Sequence, residues 1–167
     1  MCKKGGIYLK ALTLIQPWVT LIALGEKKIE TRSWRTLYRG KIAIHAGKKI
    51  DKEVCNQEPF KSILAAHGYT ANNLPTGCIV AVCNLIDCCQ IFYDKVDDVN
   101  RLMDYDCTKI QGNEFAFGDY TSGRYGWKLS DIKILAEPIP AKGSLRLWEW
   151  SRSEERRVGK ECRSRWS

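Results

Sequence analysis

The segment from Gly25 to Trp34 holds three charged residues whose types suit chemistry at a small site. Lys27, Glu30 and Arg32 lie within six residues of one another. A lysine beside a carboxylate can hold a water molecule or a carbonyl oxygen and move a proton. An arginine can clamp a phosphate or a carboxylate through two parallel hydrogen bonds. The same residues also fit an alternating charge run on a solvated surface, so composition alone does not choose between a site and a surface.

A helix and a strand must flank this segment if its side chains are to converge. Residues 16–18 open a helix, because Pro17 suits the first helical turn, and Gly25 suits its left-handed end. Residues 28–34 are predicted to be extended. On a regular strand Lys27 and Glu30 would face opposite sides. A shared site therefore requires Lys27 to lie in the turn after Gly25.

The rest of the chain predicts an α+β fold, a small mixed β-barrel with peripheral helices on its outside. Alternating apolar residues and turn signals predict strands over residues 8–14, 41–46, 78–89, 127–136 and 145–150. Helices are predicted over residues 51–67 and 97–104, and a glycine- and aromatic-rich loop over residues 112–126.

Composition excludes several classes of protein. The chain has 167 residues, of which 44% are hydrophobic and 28% charged, as expected for one globular domain. It has no apolar run long enough to cross a membrane and no recognisable secretory signal. The spacing of its eight cysteines fits no zinc site. We therefore predict a cytoplasmic protein with no membrane partner, no metal and no cofactor.

Net charge divides the chain into two parts. The total is +8, of which residues 151–167 carry +3 and residues 1–150 carry +5. A body of that charge favours anionic partners, nucleic acid first. Residues 1–150 are predicted to form the domain. Residues 151–167 have almost no apolar side chains, so we interpret them as a non-native or disordered basic tail, with an RNA-binding tail as the alternative.

The motifs of residues 1–150 resemble a known family. They comprise Q-P-W at 16–18, G-x-K-x-x-E-x-R-x-W at 25–34, and related runs at 39–49, 77–82, 123–129 and 143–150. Together they are similar to the ASCH domain, a family of PUA-like β-barrels. The resemblance implies a barrel with a cleft that binds RNA or modified nucleosides. One bacterial branch of the family looks like an amidohydrolase that removes the acetyl group of N(4)-acetylcytidine.

The resemblance also implies candidate catalytic residues. It places Lys27 in the cleft, directly after the helix. The hydrolases use a threonine three residues after this lysine as nucleophile, but Glu30 occupies that position here and Thr31 lies one place further on. Attack by water with Glu30 as base, or no catalysis, are the alternatives. Glu114 is the candidate for the remote catalytic glutamate, because it lies in the loop that would face the cleft.

Nine residues are candidates for ligand binding: Gln16, Trp18, Arg32, Trp34, His45, Lys48, Arg124, Tyr125 and Trp127. Trp18 and Trp34 could stack on a base or belong to the core, and the same two interpretations hold for Trp127. His45 also fits a hydrogen-bonded structural role. Lys48 belongs to a basic rim that could follow phosphates.

Two functions follow from these residues. The first is binding of RNA, single-stranded nucleic acid or a modified nucleoside through a cleft lined by Lys27, Glu30 and Arg32. The second is hydrolysis, in the same cleft, of a nucleoside amide such as N(4)-acetylcytidine or of RNA. The sequence leaves open whether the domain is an amidohydrolase, a ribonuclease or a binding module without catalysis.

Overall fold

Strands and short helices alternate along residues 8–151, which are the residues that the computed structural model describes. Their order is β1 (Tyr8–Gln16), α1 (Trp18–Ala23), β2 (Ile29–Arg32), β3 (Gly40–Ile50), α2 (Lys52–Cys55), α3 (Phe60–Ala66), β4 (Cys78–Asp94), β5 (Val99–Leu102), α4 (Gly112–Ala116), β6 (Tyr125–Pro140) and β7 (Leu147–Ser151). Within this range no helix has the length and hydropathy that a bilayer crossing requires. The first residue of the predicted tail, Ser151, is the last residue of β7, and the rest of the tail, residues 152–167, lies outside the described residues.

One mixed sheet organises these elements. Its strands run in the order β2-β6-β4-β3-β1-β7, and β5 pairs with β4 outside this path. β1 and β3 are parallel, and the other pairs are antiparallel. This arrangement confirms the predicted α+β class with few helices. The sheet is open between β2 and β7 in the described part of the chain, so its predicted closure into a barrel is not confirmed.

The two faces of the sheet carry different apolar clusters because successive residues of a strand point to opposite sides. Leu12 and Ile44, which are register partners, belong to the main core, and α1 packs against this face. Ala11 and Ala43, also register partners, belong to a smaller cluster with Trp150. The main core is the largest of the apolar clusters, and burial of each large side chain in it contributes about 1.5–3 kcal/mol.

The predicted helix over residues 97–104 is wrong. Residues 99–102 form β5, which pairs with the end of β4 in a hairpin. Leu102 is completely buried opposite Ile91, and Arg101 bonds to the carboxylates of Asp94 and Asp97. These contacts depend on β4 continuing to Asp94, five residues past the strand that the apolar run predicts.

The helix predicted over residues 51–67 divides into α2 and α3. The division falls at residues 56–59, because Pro59 has no backbone N–H to continue the first helix. Asp51 caps α2 as predicted, since its side chain accepts a hydrogen bond from the backbone N–H of Val54 at 3.1 Å. The predicted loop over residues 112–126 contains the short helix α4. The five predicted strands are confirmed, with shifted ends.

Candidate functional site

A cavity of about 330 Å3 lies where α1, β2 and the chain after α4 meet. Seven residues line it: Trp18, Glu30, Thr31, Ala116, Phe117, Gly118 and Asp119. Its volume is within the range of small-molecule sites, about 300–1,000 Å3. The cavity has aromatic walls and two carboxylates, and none of the basic side chains within residues 8–151 is part of its lining.

Glu30 supplies the least satisfied polar group of this cavity. Its side chain is buried, and Oε1 accepts a hydrogen bond from the backbone N–H of Thr31 at 3.0 Å. Oε2 is buried and has no hydrogen-bond partner among the described residues. A buried acceptor left unpaired costs about 1–3 kcal/mol. A ligand that brings an N–H or O–H donor into the cavity would recover this cost.

Aromatic packing fixes the other wall. The ring of Trp18 meets Phe60 edge-to-face at 6.0 Å, and Phe60 meets Phe117 at 5.0 Å. Phe117 is completely buried, whereas Trp18 is only partly buried and lines the cavity. The ring of Trp18 is therefore held in one orientation with part of its surface available to a ligand.

Thr31 and Asp119 join β2 to the loop after α4. The hydroxyl oxygen of Thr31 accepts a hydrogen bond from the backbone N–H of Asp119 at 3.2 Å. Hydrogen bonds from Thr121 lower the pKa of Asp119, so its carboxylate is ionised at neutral pH. Arg124 lies outside the cavity lining and donates to the carbonyl of Asp119 at 3.1 Å.

Glu114, a predicted catalytic residue, holds the start of β2. Its two carboxylate oxygens accept hydrogen bonds from the backbone N–H groups of Lys28 at 3.0 Å and Ile29 at 3.1 Å. The hydroxyl of Tyr120 donates to the same carboxylate at 3.3 Å. Burial, reinforced by Glu114, raises the pKa of Tyr120, so this hydroxyl remains a donor. The contacts with Lys28 and Ile29 hold the backbone at the start of β2, and the contact with Tyr120 holds the Glu114 side chain.

Lys27 and Arg32 are near Glu30 in the chain, but neither lines the cavity. Lys27 lies in the turn between α1 and β2, as the prediction requires, and is completely buried. Its Nζ donates to the carbonyl of Ile29 at 2.5 Å. Arg32 donates from Nη2 to the carbonyl of Thr13 at 3.1 Å, and its Nε has no partner among the described residues. A cleft shared by Lys27, Glu30 and Arg32 stays a prediction.

Two of the predicted ligand-binding aromatic residues lie together in the main core. Trp127 is completely buried and meets Trp34 edge-to-face at 4.7 Å. Its indole N–H donates to the carbonyl of Trp34 at 3.4 Å. Arg146 covers the ring of Trp34 at 5.4 Å, and Tyr125 packs against the same core.

Gln16 and His45 are buried and fully engaged with neighbouring groups. Gln16 accepts from the backbone N–H of Thr20 at 3.0 Å and donates to the carbonyl of Pro75 at 2.8 Å. His45 Nε2 donates to the carbonyl of Ala141 at 2.7 Å, which leaves Nδ1 to accept from the hydroxyl of Thr13 at 3.1 Å. Burial lowers the pKa of His45, so the ring is neutral. Lys48, the remaining candidate for ligand binding, is exposed on β3.

Sequence reasoning missed most of the residues after α4 that line the cavity. Gly118 allows the chain to approach the site, because an added Cβ would lie 2.7 Å from the ring of Tyr120 and 3.1 Å from Thr31. The glycine- and aromatic-rich composition of residues 112–126 was the available signal. It indicated a loop near the site without identifying Phe117 or Asp119.

Known proteins are similar to this chain. Over 98 residues the chain is 33% identical to activating signal cointegrator 1 of Homo sapiens and 31% identical to activating signal cointegrator 1 of Mus musculus. The aligned stretch covers 56% of this chain and 17% of the length of each relative. Residues 12–142 match the ASCH domain family, and this range includes every residue that lines the cavity. The chain therefore belongs to the ASCH domain family.

Proposed function

We propose that this ASCH domain binds RNA, single-stranded nucleic acid or a modified nucleoside by receiving one unstacked base in the cavity beside Trp18 and Glu30. The observation that supports this proposal is the buried Oε2 of Glu30, which has no partner among the described residues. The edges of nucleobases carry N–H donors that a carboxylate can accept. Single-stranded nucleic acids present such bases, which stack on aromatic side chains.

The charges around the cavity favour a base over a phosphate as the group inside it. Glu30 and Asp119 both line the cavity. Arg124 pairs with the carboxylate of Asp119 at 3.4 Å, but no basic side chain pairs with Glu30 within residues 8–151, and its carboxylate would repel a phosphate. The phosphates of a bound strand would instead meet basic residues on the outer surface, where Lys48 is exposed. Affinity for a strand should therefore fall with added salt, whereas affinity for an uncharged nucleoside should change little.

The test is a binding titration of the full chain with short single-stranded RNA and with free nucleosides. Glu30→Gln should weaken binding at least about tenfold, because it replaces a charge-assisted hydrogen bond by a neutral amide contact. Trp18→Leu should also weaken binding at least about tenfold, through loss of stacking. Glu149→Gln, which removes an exposed carboxylate on β7, is the matched control and should bind normally. Parental affinity in both site variants would contradict the proposal.

A second candidate is hydrolysis of a nucleoside amide of the N(4)-acetylcytidine type in the same cavity. The observation that favours it is that the Thr31 hydroxyl and the Glu30 carboxylate belong to residues lining one cavity. Glu30 would take a proton from water, and the water oxygen would add to the carbonyl carbon of the acetyl group. Glu30 would then return the proton to N4 as the C–N bond breaks, which releases acetic acid, ionised to acetate in solution, and cytidine.

Turnover of N(4)-acetylcytidine, followed by chromatography, separates the two candidates. Catalysis predicts that Glu30→Gln loses about 100-fold in turnover, and comparison with Thr31→Val tests for a threonine nucleophile. Absence of acetate release by the parent protein, together with measurable nucleoside affinity, would reject hydrolysis and leave the binding function.

A further inference from the structure

A second cavity, of about 570 Å3, lies on the sheet face opposite to α1. Its lining residues come from five strands: β1, β3, β4, β6 and β7. The strand register forms one row across this face, in which Trp150 pairs with Leu9 and Lys41 pairs with Asn84. In the next row Val82 pairs with Lys133. The cavity is therefore built on the regular part of the sheet.

One part of this cavity is cationic. Lys41 and Lys133 are exposed and line it, and neither forms an ion pair within residues 8–151. The acidic group in the lining, Asp131, accepts a hydrogen bond from the side-chain amide of Asn84 at 3.0 Å. Two lysines and one carboxylate leave a net positive charge at this rim.

The remaining lining is apolar. Leu9, Leu135 and Ile139 line the cavity and pack against the cluster that contains Ala11 and Trp150. Helix α1 packs on the other face, so apolar side chains here remain beside an open volume.

We propose that this second cavity binds a small anionic amphiphile, a molecule with one carboxylate or phosphate head and an apolar body. Lys41 and Lys133 attract the head, and Leu135 and Trp150 contact the body. Charge complementarity selects this ligand class, because the rim offers cations that form no ion pair within residues 8–151 and the wall beside them is hydrocarbon. The acidic cavity at Glu30 would repel the same molecule, so the two sites take different ligands.

The first experiment measures binding of decanoate and decyl phosphate to the full chain by calorimetry, at concentrations where the probes are monomeric. Saturable binding of either probe supports the proposal, and the two arms distinguish a carboxylate head from a phosphate head. Decanol and decyltrimethylammonium should bind at least about tenfold more weakly, because they lack the negative head. Absence of saturable binding by both anionic probes, or equal binding of decanol, would overturn it.

The second experiment locates the site with matched double variants. Lys41→Glu with Lys133→Glu should weaken binding of the anionic probe at least about tenfold. Lys52→Glu with Lys61→Glu makes the same change in net charge on α2 and α3 and should leave the affinity unchanged. An equal loss of affinity in the two double variants would show that the effect comes from net charge, and would overturn the proposal. Thermal unfolding of each variant verifies that it is folded.

Discussion

The two faces of the central sheet carry cavities of opposite character. The cavity on the α1 side is lined by the carboxylates of Glu30 and Asp119 and by aromatic rings. The cavity on the opposite face is lined by Lys41 and Lys133 and by aliphatic side chains. The chain as a whole carries a net charge of +8, yet the first cavity is acidic. The net charge of the whole chain therefore does not predict the charge inside a cavity. The charges of the side chains that line each cavity decide which ligand it can accept.

The difference arises from the two-residue repeat of the strands. In β3, Lys41 lines the second cavity, whereas the adjacent Ile42 is completely buried in the main core. A single step along the strand thus changes both the environment and the role of a side chain. Substitutions on each face should consequently affect stability and binding to different extents.

The largest expected effect is on stability at the main core. Trp127→Ala should lower the free energy of unfolding by about 3–5 kcal/mol, because it removes a completely buried ring. Trp127 is the register partner of Glu30, so loss of its packing should also reduce base binding. Trp148→Ala, on the opposite face, should cost less because that ring is only partly buried. Urea denaturation measures both, and a larger loss for Trp148→Ala would contradict the comparison.

A smaller effect is expected for the carboxylate that holds β2. Glu114→Ala should lower the free energy of unfolding by about 1–3 kcal/mol, because the N–H groups of Lys28 and Ile29 lose their acceptor. Base binding should weaken, and decanoate binding on the opposite face should not change. Glu114→Gln, which keeps one acceptor oxygen, should recover part of the stability. Parental stability in Glu114→Ala would show that these hydrogen bonds do not brace the strand.

The smallest expected effect is a pH dependence at His45. Burial lowers the pKa of His45 below its usual 6.5, outweighing the hydrogen bond to Ala141, which raises it. The unfolded chain therefore binds a proton more readily than the folded one, and stability should fall as the pH drops below 6.5. Denaturation at about pH 7.5 and about pH 5.5 measures this loss. A His45→Gln variant should show a smaller change; an equal change would assign it to other groups.

Asp104 titrates outside this pH window. The pKa of Asp104 is lowered to about 2, although burial opposes the shift, because Lys128 and Thr108 form hydrogen bonds with it. Its contribution to stability is present above its unfolded pKa, near 3.8, and is lost as the pH falls toward about 2. The two titrations can therefore be separated in one acid series.

The sequence predicts correctly those strands whose apolar pattern lies within their own residues. The strands over residues 41–46 and 78–89 are confirmed because apolar residues there repeat with a strand period or form a buried run. Residues 97–104 were misassigned as a helix because the contacts that hold β5 join it to β4 through Arg101 and Leu102. A pairing of this kind leaves no signature within the eight residues themselves.

The candidate site was predicted only in part for the same reason. The motif of residues 25–34 led to Glu30, and the Q-P-W motif led to Trp18, both of which line the cavity. Glu114 was predicted as a catalytic residue, and that role stays a prediction; its hydrogen bonds to Lys28 and Ile29 span more than 80 residues of sequence. A sequence pattern can suggest that a carboxylate is important; the groups that it bonds to depend on the folded chain.

The pairing of β1 with β7 has a consequence for how this domain can be joined to other polypeptides. Tyr8 lies opposite Ser151, so the chain enters the sheet at the start of β1 and leaves it at the end of β7 at the same place. The Cα atoms of Tyr8 and Ser151 are about 5 Å apart. A host protein could therefore receive residues 8–151 in a surface loop without stretching its own backbone. A short linker could equally join Ser151 to Tyr8, with new ends opened at the exposed turn around Val96. Because its two ends lie side by side, the segment 8–151 can be joined to another polypeptide at a single point.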